Sequence, residues 1–401
     1  MLPRGSQLRV AQAVAVRAAA RRGALETGVS ASDVQVRAVH ASRAAARAAN
    51  RTDAPRILLM DDIQLAASEL RRLEQSTNMA RNTTTTRAEL IAAFQPGGQY
   101  ADVVGLYRHF GGARSVRVSG RFDEELVAAL PATLRFIVHN GAGYDQLDIA
   151  ALTRRGIQAS NVPTVVNDAT ADTALFLLLG SLRRFPLALA QLRSGTFNQQ
   201  FPFVTATDPE KRVLGIVGAG GIGRAVARKA AHALGMHVLY HNRTQLSPAL
   251  EADGMPPGRP MSYVPTLHAL LAQSDAVSVN CPLTAETRHL ISAPELAHMQ
   301  RHAVLVNTAR GPIVDEAALV DALNNDVIAG AGLDVYENEP SVHEGLLALA
   351  DSKALLLPHV GTLSLQTQTE MEAACLKNLE HGLATGSLAF TVREQEGVQF
   401  G

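Results

Sequence analysis

The stretch "LGIVGAGGIGRAVARKA" (214–230) decides how this chain is read. Gly218, Gly220 and Gly223 fall in the spacing G-x-G-x-x-G. The spacing alone is weak evidence, but its setting is informative. An apolar run, "RVLGIV" (212–217), precedes it, and the pattern after it opens a helix, so the glycines occupy a strand-to-helix turn. In such a turn the first glycine permits a tight bend and the second lets backbone approach a pyrophosphate. The third lets helix and strand pack closely. Free N–H groups at the helix start suit phosphate oxygens. The expectation is a dinucleotide-binding βαβ unit.

The next apolar run, "HVLYH" (237–241), predicts the second strand of that unit. An acid that contacts the adenosine ribose is expected about 20 residues beyond the glycines. Asn242 stands there, 19 residues after Gly223, followed by Arg243 and Thr244. An aspartate would repel a 2′-phosphate by ~4 kcal/mol for unit charges ~4 Å apart at an effective dielectric of ~20. Asparagine removes that repulsion, the guanidinium fork of Arg243 can pair with phosphate, and Thr244 adds a hydroxyl. The trio predicts NADP(H) as the preferred cofactor, with NAD(H) still possible.

Outward from this unit the chain alternates. "RILLM" (56–60), "DVVGLY" (102–107), "LRFIV" (134–138) and "IQAS" (157–160) predict strands, with helices over 64–74, 122–130 and 148–155. A long helix is predicted over about 168–185, then a polar, proline-containing stretch to about 212. Beyond it, "DAVSVN" (275–280), "AVLVN" (303–307), "VIAGAGLDV" (327–335) and "KALLL" (353–357) read as strands buried on both faces, and 365–383 as a closing helix. Strand–helix alternation predicts an α/β protein of two Rossmann-like, doubly wound parallel-sheet domains with a cleft between them.

Composition narrows the function. The 401 residues carry 37 Lys plus Arg against 37 Asp plus Glu, so no basic excess points to nucleic acid. The two cysteines, Cys281 and Cys375, lack metal-ligand spacing, and no metal site is expected. The longest apolar run, 174–182, is far short of the ~20 residues needed to span a bilayer, and no membrane partner is expected. Residues 1–52 stand apart, with nine arginines, no lysine and two acids, Glu26 and Asp33. That is the composition of an organelle transit peptide or a disordered extension. The expectation is a cytoplasmic protein, or a mitochondrial-matrix one directed by this extension.

Three later segments deliver polar groups to strand ends: "VLVNTARGPIVDEAAL" (304–319) brings Arg310, "GAGLDVYENEP" (330–340) brings Asp334, Glu337 and Glu339, and "LLLPHVGT" (355–362) brings His359. Ligands of open parallel sheets bind beyond the carboxyl ends of the strands. Together with "HNGAGYDQLD" (139–148), "VPTVVNDATADTALFLLL" (162–179) and "PLTAETRHLI" (282–291), these motifs come in one order over roughly 54–385. In that order they resemble the D-isomer-specific 2-hydroxyacid dehydrogenases, within the glyoxylate/hydroxypyruvate reductase group.

The resemblance implies hydride transfer between a nicotinamide cofactor and a small 2-oxoacid or 2-hydroxyacid. It implies that Arg310 holds the substrate carboxylate and polarises the ketone, and that His359 is the general acid. Glu339, the second acid of "ENE", rather than Glu337 is implied as its partner, and a carboxylate beside an imidazole favours the imidazolium. The amides of Ala142 and Gly143 are implied to receive the carboxylate, with Tyr107 in the substrate pocket. On the cofactor side the resemblance points to Gly221 and Ile222 in the pyrophosphate turn, and to Cys281, Pro282 and Thr287 beside the adenosine. Thr308, Asp334 and Gly361 then belong near the nicotinamide. His139 is a distant second choice as acid, and Cys281 reads as a small buried residue, not a nucleophile.

The implied organisation is a substrate domain over 53–161, an NAD(P)-binding domain over 162–357, a return to the substrate domain over 358–391 and a tail over 392–401. Hinges are expected near Pro163 and Pro358, and a homodimer through the cofactor domain. The extension at 1–52, the Asn242–Arg243 pair and the "HVGT" ending depart from the family pattern. A mandelate/benzoylformate-type dehydrogenase is one alternative, and a dinucleotide-sensing corepressor-like binding protein on the same fold is another. Formate oxidation is disfavoured, because the histidine's partner is Glu339 and not glutamine.

Overall fold

In a computed structural model, residues 54–197 and 206–400 are described; the Arg/Ala-rich segment 1–52 lies outside them. The first block builds a five-stranded sheet from β1 (Arg56–Leu59), β2 (Asn78–Arg81), β3 (Val103–His109), β4 (Phe136–Asn140) and β5 (Gln158–Ser160). All its pairings are parallel and the order is β2-β1-β3-β4-β5. The second block builds seven parallel strands: β6 (Val213–Val217), β7 (His237–His241), β8 (Ser262–Tyr263), β9 (Ala276–Val279), β10 (Val304–Asn307), β11 (Gly330–Leu333) and β12 (Ala354–Leu356). Their order is β12-β11-β10-β9-β6-β7-β8. In each sheet the strand order reverses once, between β1 and β3 and between β6 and β9, while the strands stay parallel. These are the switch points at which α/β sheets open a crevice.

The strands form where Val, Ile, Leu and Ala run together. Every residue of β9, β10 and β11 is buried, as sheets covered by helices on both faces require. Helix starts are fixed by side-chain caps. Thr86, Asp123, Asp148, Thr266, Asp315 and Ser364 each accept a first-turn backbone N–H.

Several elements were not given by the sequence reading, among them the short helices Pro248–Ala252, Leu267–Gln273, Ala293–His298, Glu316–Asn324 and Glu344–Ala348. Strand β2 reads "NMAR" and is half-exposed, and β8 has two residues, so neither offers an apolar run. Helix Arg87–Phe94 was not expected at all. The proline-containing stretch after the long helix holds a further helix, Phe185–Arg193, because the chain turns through Arg184 at φ 56° and places Pro186 in the first turn. Proline there needs no intrahelical donor and favours a start.

Helix Asn167–Leu182 packs on β10, β11 and helix Gly221–Ala233. Its approach to β11 depends on Gly332, where a Cβ would stand 2.8 Å from the Leu177 Cβ. The last long helix, Leu365–Thr385, returns to the first sheet and lies on β4 and helix Ala67–Ser76. Its buried Glu372 accepts the amides of Gln64, Leu65 and Ala66 at 2.9, 2.7 and 2.8 Å, so its charge is met by three donors. The segment from 392 onward is not a separate tail. The Val392 amide donates to Ala159 of β5, and buried Gln395 accepts from Ala159 and donates to Ile157 and Thr153.

Candidate active site

The glycine loop follows β6 at the switch point of the larger sheet. Gly218 has φ 94°, and a Cβ there would lie 2.7 Å from the Cys281 nitrogen. A Cβ on Gly223 would lie 2.2 Å from the Gly218 carbonyl oxygen, which fixes the close packing of helix on strand. Gly220 is the opposite case: a Cβ there meets nothing within 4 Å. One glycine makes the bend, one permits packing, and the middle one faces open space over the helix start. This division fits a dinucleotide pyrophosphate. Gly221 lies against Asn167, Ile222 lines the cleft, and the buried Thr308 Oγ1 has no hydrogen-bond partner among the described residues.

At the end of β7 the Asn242 Oδ1 accepts the Ala219 amide at 2.8 Å. That bond fixes the oxygen toward the loop and leaves Asn242 with N–H donors to offer. Arg243 and Thr244 are exposed, and Arg243 donates no hydrogen bond to any described residue. Cys281 is partly buried, and burial pushes its thiol up to about 11, so it is no nucleophile near neutrality. Beside it, Thr287 Oγ1 donates to the Pro282 carbonyl at 2.7 Å and closes this wall.

Between the sheets lies an open cleft. The smaller sheet contributes Phe110, Ala142 and Gly143. The larger contributes Ile222, Thr308, Arg310 and Asp334, and the returning chain adds His359, Gly361, Thr362 and Met371. Arg310 leaves the end of β10. Its Nε donates to Asp145 Oδ1 at 2.8 Å and its Nη1 to the Ala309 carbonyl at 2.8 Å. Its Nη2 lies against Gly143 so closely that a Cβ there would be 2.0 Å away. The amides of Ala142 and Gly143 donate to no acceptor among the described residues. The cleft thus presents one guanidinium edge and two backbone donors.

His359 takes φ 56°, the left-handed region that a non-glycine residue enters at a cost of about 1–3 kcal/mol. Its neighbours hold it there. The Asp334 carboxylate accepts the amides of Val360 and Gly361, both at 2.8 Å. Glu339 Oε2 meets His359 Nδ1 at 2.8 Å, and Glu339 Oε1 accepts the Tyr336 amide at 3.0 Å. Burial works to raise the Glu339 carboxyl, but the His359 bond and charge, the Tyr336 amide and Arg310 outweigh it and hold it below its ordinary value. At Asp334 burial prevails and the carboxyl is raised despite its two N–H partners. Glu337 faces away, paired with His289 Nε2.

The structure therefore brings Arg310, His359, Asp334, Thr308, Gly361, Ala142 and Gly143 to one cleft, with Glu339 bonded to His359 beside it. Tyr107 is not among them. It is fully buried under helix Leu365–Thr385, and its hydroxyl accepts the Asn140 amide at 2.8 Å. Side chains alternate along β3, and this register turns Tyr107 into the core; Phe110, past the strand end, reaches the cleft and lies 5.7 Å from the His359 ring. His139 is fully buried behind the loop and His241 is bonded through Nδ1 to the Val264 carbonyl, so neither faces the cleft. Asp145 was not expected from the sequence. It sits in the same "GAGYD" motif as Ala142 and Gly143, and a carboxylate beside a loop expected to take an anion was its signal.

A domain with this glycine turn, joined across a cleft to an Arg–Glu–His set, defines a nicotinamide-dependent oxidoreductase. Comparison with known proteins gives its family. Residues 175–361 match the family described as D-isomer specific 2-hydroxyacid dehydrogenase, NAD binding domain. The chain is 43% identical over 344 residues to 4-methyl-2-oxopentanoate reductase A of Aspergillus oryzae, covering 86% of this chain and 99% of that one. A glyoxylate reductase structure from Paecilomyes thermophila superposes with TM-score 0.79 at 43% identity, over 86% of this chain and 99% of that one. An NADPH-dependent glyoxylate/hydroxypyruvate reductase from Sinorhizobium meliloti, solved with NADP and malonate, gives TM-score 0.69 at 34% identity, over 85% and 97%. The chain belongs to the D-isomer specific 2-hydroxyacid dehydrogenase family and is an NAD(P)-dependent enzyme of that family.

Proposed function

We propose that this enzyme reduces small 2-oxoacids, glyoxylate and hydroxypyruvate among them, to D-2-hydroxyacids with NADPH. The observation that carries the reading is the convergence of Arg310, the His359–Glu339 pair and the Ala142–Gly143 amides on one cleft beside the glycine loop. The names of the relatives supply the substrate class.

Arg310 and the two amides bind the substrate carboxylate, and the guanidinium also polarises the adjacent ketone. The bound nicotinamide supplies the hydride. Glu339 holds His359 by Nδ1, which leaves Nε2 to carry the proton that the carbonyl oxygen takes as the carbon is reduced. Asp334 fixes the backbone that carries His359, so acid and guanidinium keep their spacing. Thr308, Asp334, Ile222 and the glycine turn hold the cofactor.

The preference for NADPH rests on Asn242 and Arg243. With its oxygen committed to Ala219, Asn242 turns donors outward, and Arg243 is a cation without a hydrogen-bonded partner among the described residues. Donors and an exposed cation, whose charge also acts on the Glu286 carboxylate, suit a phosphate. A 2-oxoacid panel that includes benzoylformate and 4-methyl-2-oxopentanoate, run with both cofactors, tests the reading. NADPH is expected to give the higher kcat/KM, and Asn242→Asp to reverse the order; equal use of both cofactors by the native chain refutes the preference. Tight NADPH binding without turnover of any 2-oxoacid refutes the reductase and favours a dinucleotide-sensing role. The exposed Phe176, Phe185, Leu189 and Leu192 on helices Asn167–Leu182 and Phe185–Arg193 support a homodimer through the cofactor domain.

A further inference from the structure

Arg108 is the largest fully buried side chain in the described structure, 1% exposed, and no carboxylate bonds to it. Its Nη2 donates to the carbonyls of Ser115 and Gly120 at 3.1 and 3.3 Å, and its Nη1 lies 3.2 Å from His139 Nδ1. Burial draws its pKa down to about 10, against the pull of Asp145 and Asp61, so it stays charged near neutrality. A guanidinium has no acceptor, so His139 Nδ1 must accept and the imidazole proton must sit on Nε2. Nε2 lies 3.1 Å from the Gly143 carbonyl and donates to it. Burial first, then the charge of Arg108, holds His139 well below its ordinary pKa, so the ring is neutral.

The other carbonyls of this loop are also held back. Ala142 accepts from Asn161 Nδ2 at 2.6 Å, and Gly141 accepts from the Val162 amide at 2.9 Å. The loop has its carbonyls engaged by the protein and the amides of Ala142 and Gly143 left over. We propose that Arg108 and His139 are positioning residues for substrate binding: the buried guanidinium selects the His139 tautomer, and His139 Nε2–H pulls the Gly143 carbonyl back, so the loop amides stay turned to the cleft. The opposite tautomer would set two acceptors face to face at Gly143 and loosen the loop. This inference rests on the reading that the loop receives the substrate carboxylate.

Steady-state kinetics of the full chain with NADPH and glyoxylate, with ¹⁵N spectra of its histidines, test it. Arg108→Met is expected to raise the glyoxylate KM about five- to tenfold, the worth of one buried hydrogen bond. Both kcat and the cofactor KM should move by less than about twofold, the signature of lost substrate binding alone. His139→Gln, which can accept from Arg108 and donate to Gly143, is expected to keep the native KM, and His139→Leu to raise it. The native spectrum should place the His139 proton on Nε2. A folded Arg108→Met enzyme with native glyoxylate KM overturns the proposal, as does a native His139 protonated on Nδ1. If Arg108→Met does not fold, equal KM values for His139→Gln and His139→Leu overturn it. Arg310→Ala separates the two readings. If it loses kcat and KM together while Arg108→Met behaves as native, only the positioning role fails; if it is itself unchanged, the reading of the site fails.

Discussion

Gly143→Ala isolates the placement of Arg310 from everything else in the fold. Gly143 is not in the left-handed region, so alanine can adopt its backbone conformation. The obstacle is the guanidinium: the new Cβ would lie 2.0 Å from Nη2, 2.6 Å from Cζ and 3.2 Å from Nε. Ordinary contact begins at 3.4 Å, so Nη2 must retreat by about 1.4 Å, the difference between 3.4 and 2.0. That motion breaks or stretches the 2.8 Å bond to Asp145 and displaces the group proposed to orient the substrate. A bond to a charged group is worth about 1.5–3 kcal/mol, and a misplacement of about 1 Å can cost about 100-fold in rate. The expected result is a fall of about 100-fold in kcat/KM for glyoxylate, shared between kcat and KM. Any loss of stability should stay within the worth of that one bond, the Arg310–Asp145 pair being about a quarter exposed on each side. The assay is NADPH consumption at varied glyoxylate, with cofactor affinity and a thermal melt on the same preparation. Native kinetics in a folded Gly143→Ala enzyme refute the placement of Arg310 at the substrate.

Other consequences separate binding, chemistry and folding. Gly220→Ala has open space around its Cβ and should melt like the native protein while raising the cofactor KM at least about tenfold; Gly223→Ala, 2.2 Å from a backbone carbonyl, should instead lower the melting temperature. Glu339→Gln should lower kcat by about 100-fold, since it weakens the hold on His359, the proposed acid, with little change in cofactor binding. The same variant tests linkage: the native Glu339 carboxyl lies below its unfolded value, so its contribution is present above about pH 4.3 and is lost as pH falls through the folded value. Melts across the acid range should show that slope in the native chain and less of it in Glu339→Gln. For the proposed dimer, light scattering should give a dimer mass for the native chain and Leu192→Glu should shift it toward a monomer; a native monomer mass refutes the dimer, and a dimer mass in the variant refutes this contact.

The sequence made the fold legible wherever an apolar run is bounded by turns. Strands β6, β9, β10 and β11 are almost wholly buried runs of small and aliphatic residues, β7 is apolar only between its two histidines, and all five appear where expected. Strand β2 was not legible because an edge strand of "NMAR" is stabilised by pairing with β1, not by burial of its own side chains. Helix Phe185–Arg193 was hidden by its own proline, which breaks a helix interior but starts a helix.

The site was legible in a different way. Arg310, His359 and Glu339 are separated by up to 49 positions, and periodicity says nothing about their meeting; the motif order carried that expectation. What motif order cannot carry is side-chain direction. Tyr107 and Phe110 are three residues apart, yet one ends in the core and the other in the cleft, because β3 ends at His109 and only the residue past the ladder is free to turn. Asp145 and Arg108 are harder still, since their partners come from elsewhere in the chain: Asp145 meets Arg310 from the other sheet, 165 positions away. An ion pair joining the two sheets ties the Ala142–Gly143 loop, proposed to receive the substrate, to Arg310 of the larger sheet. Asp145→Asn keeps a shorter-range acceptor but removes the charge, and it should therefore raise the 2-oxoacid KM by about tenfold or less while Gly143→Ala, which moves the guanidinium itself, costs more. If the aspartate variant proves the more damaging of the two, Arg310 is positioned chiefly by charge across the cleft and not by the shape of the glycine loop.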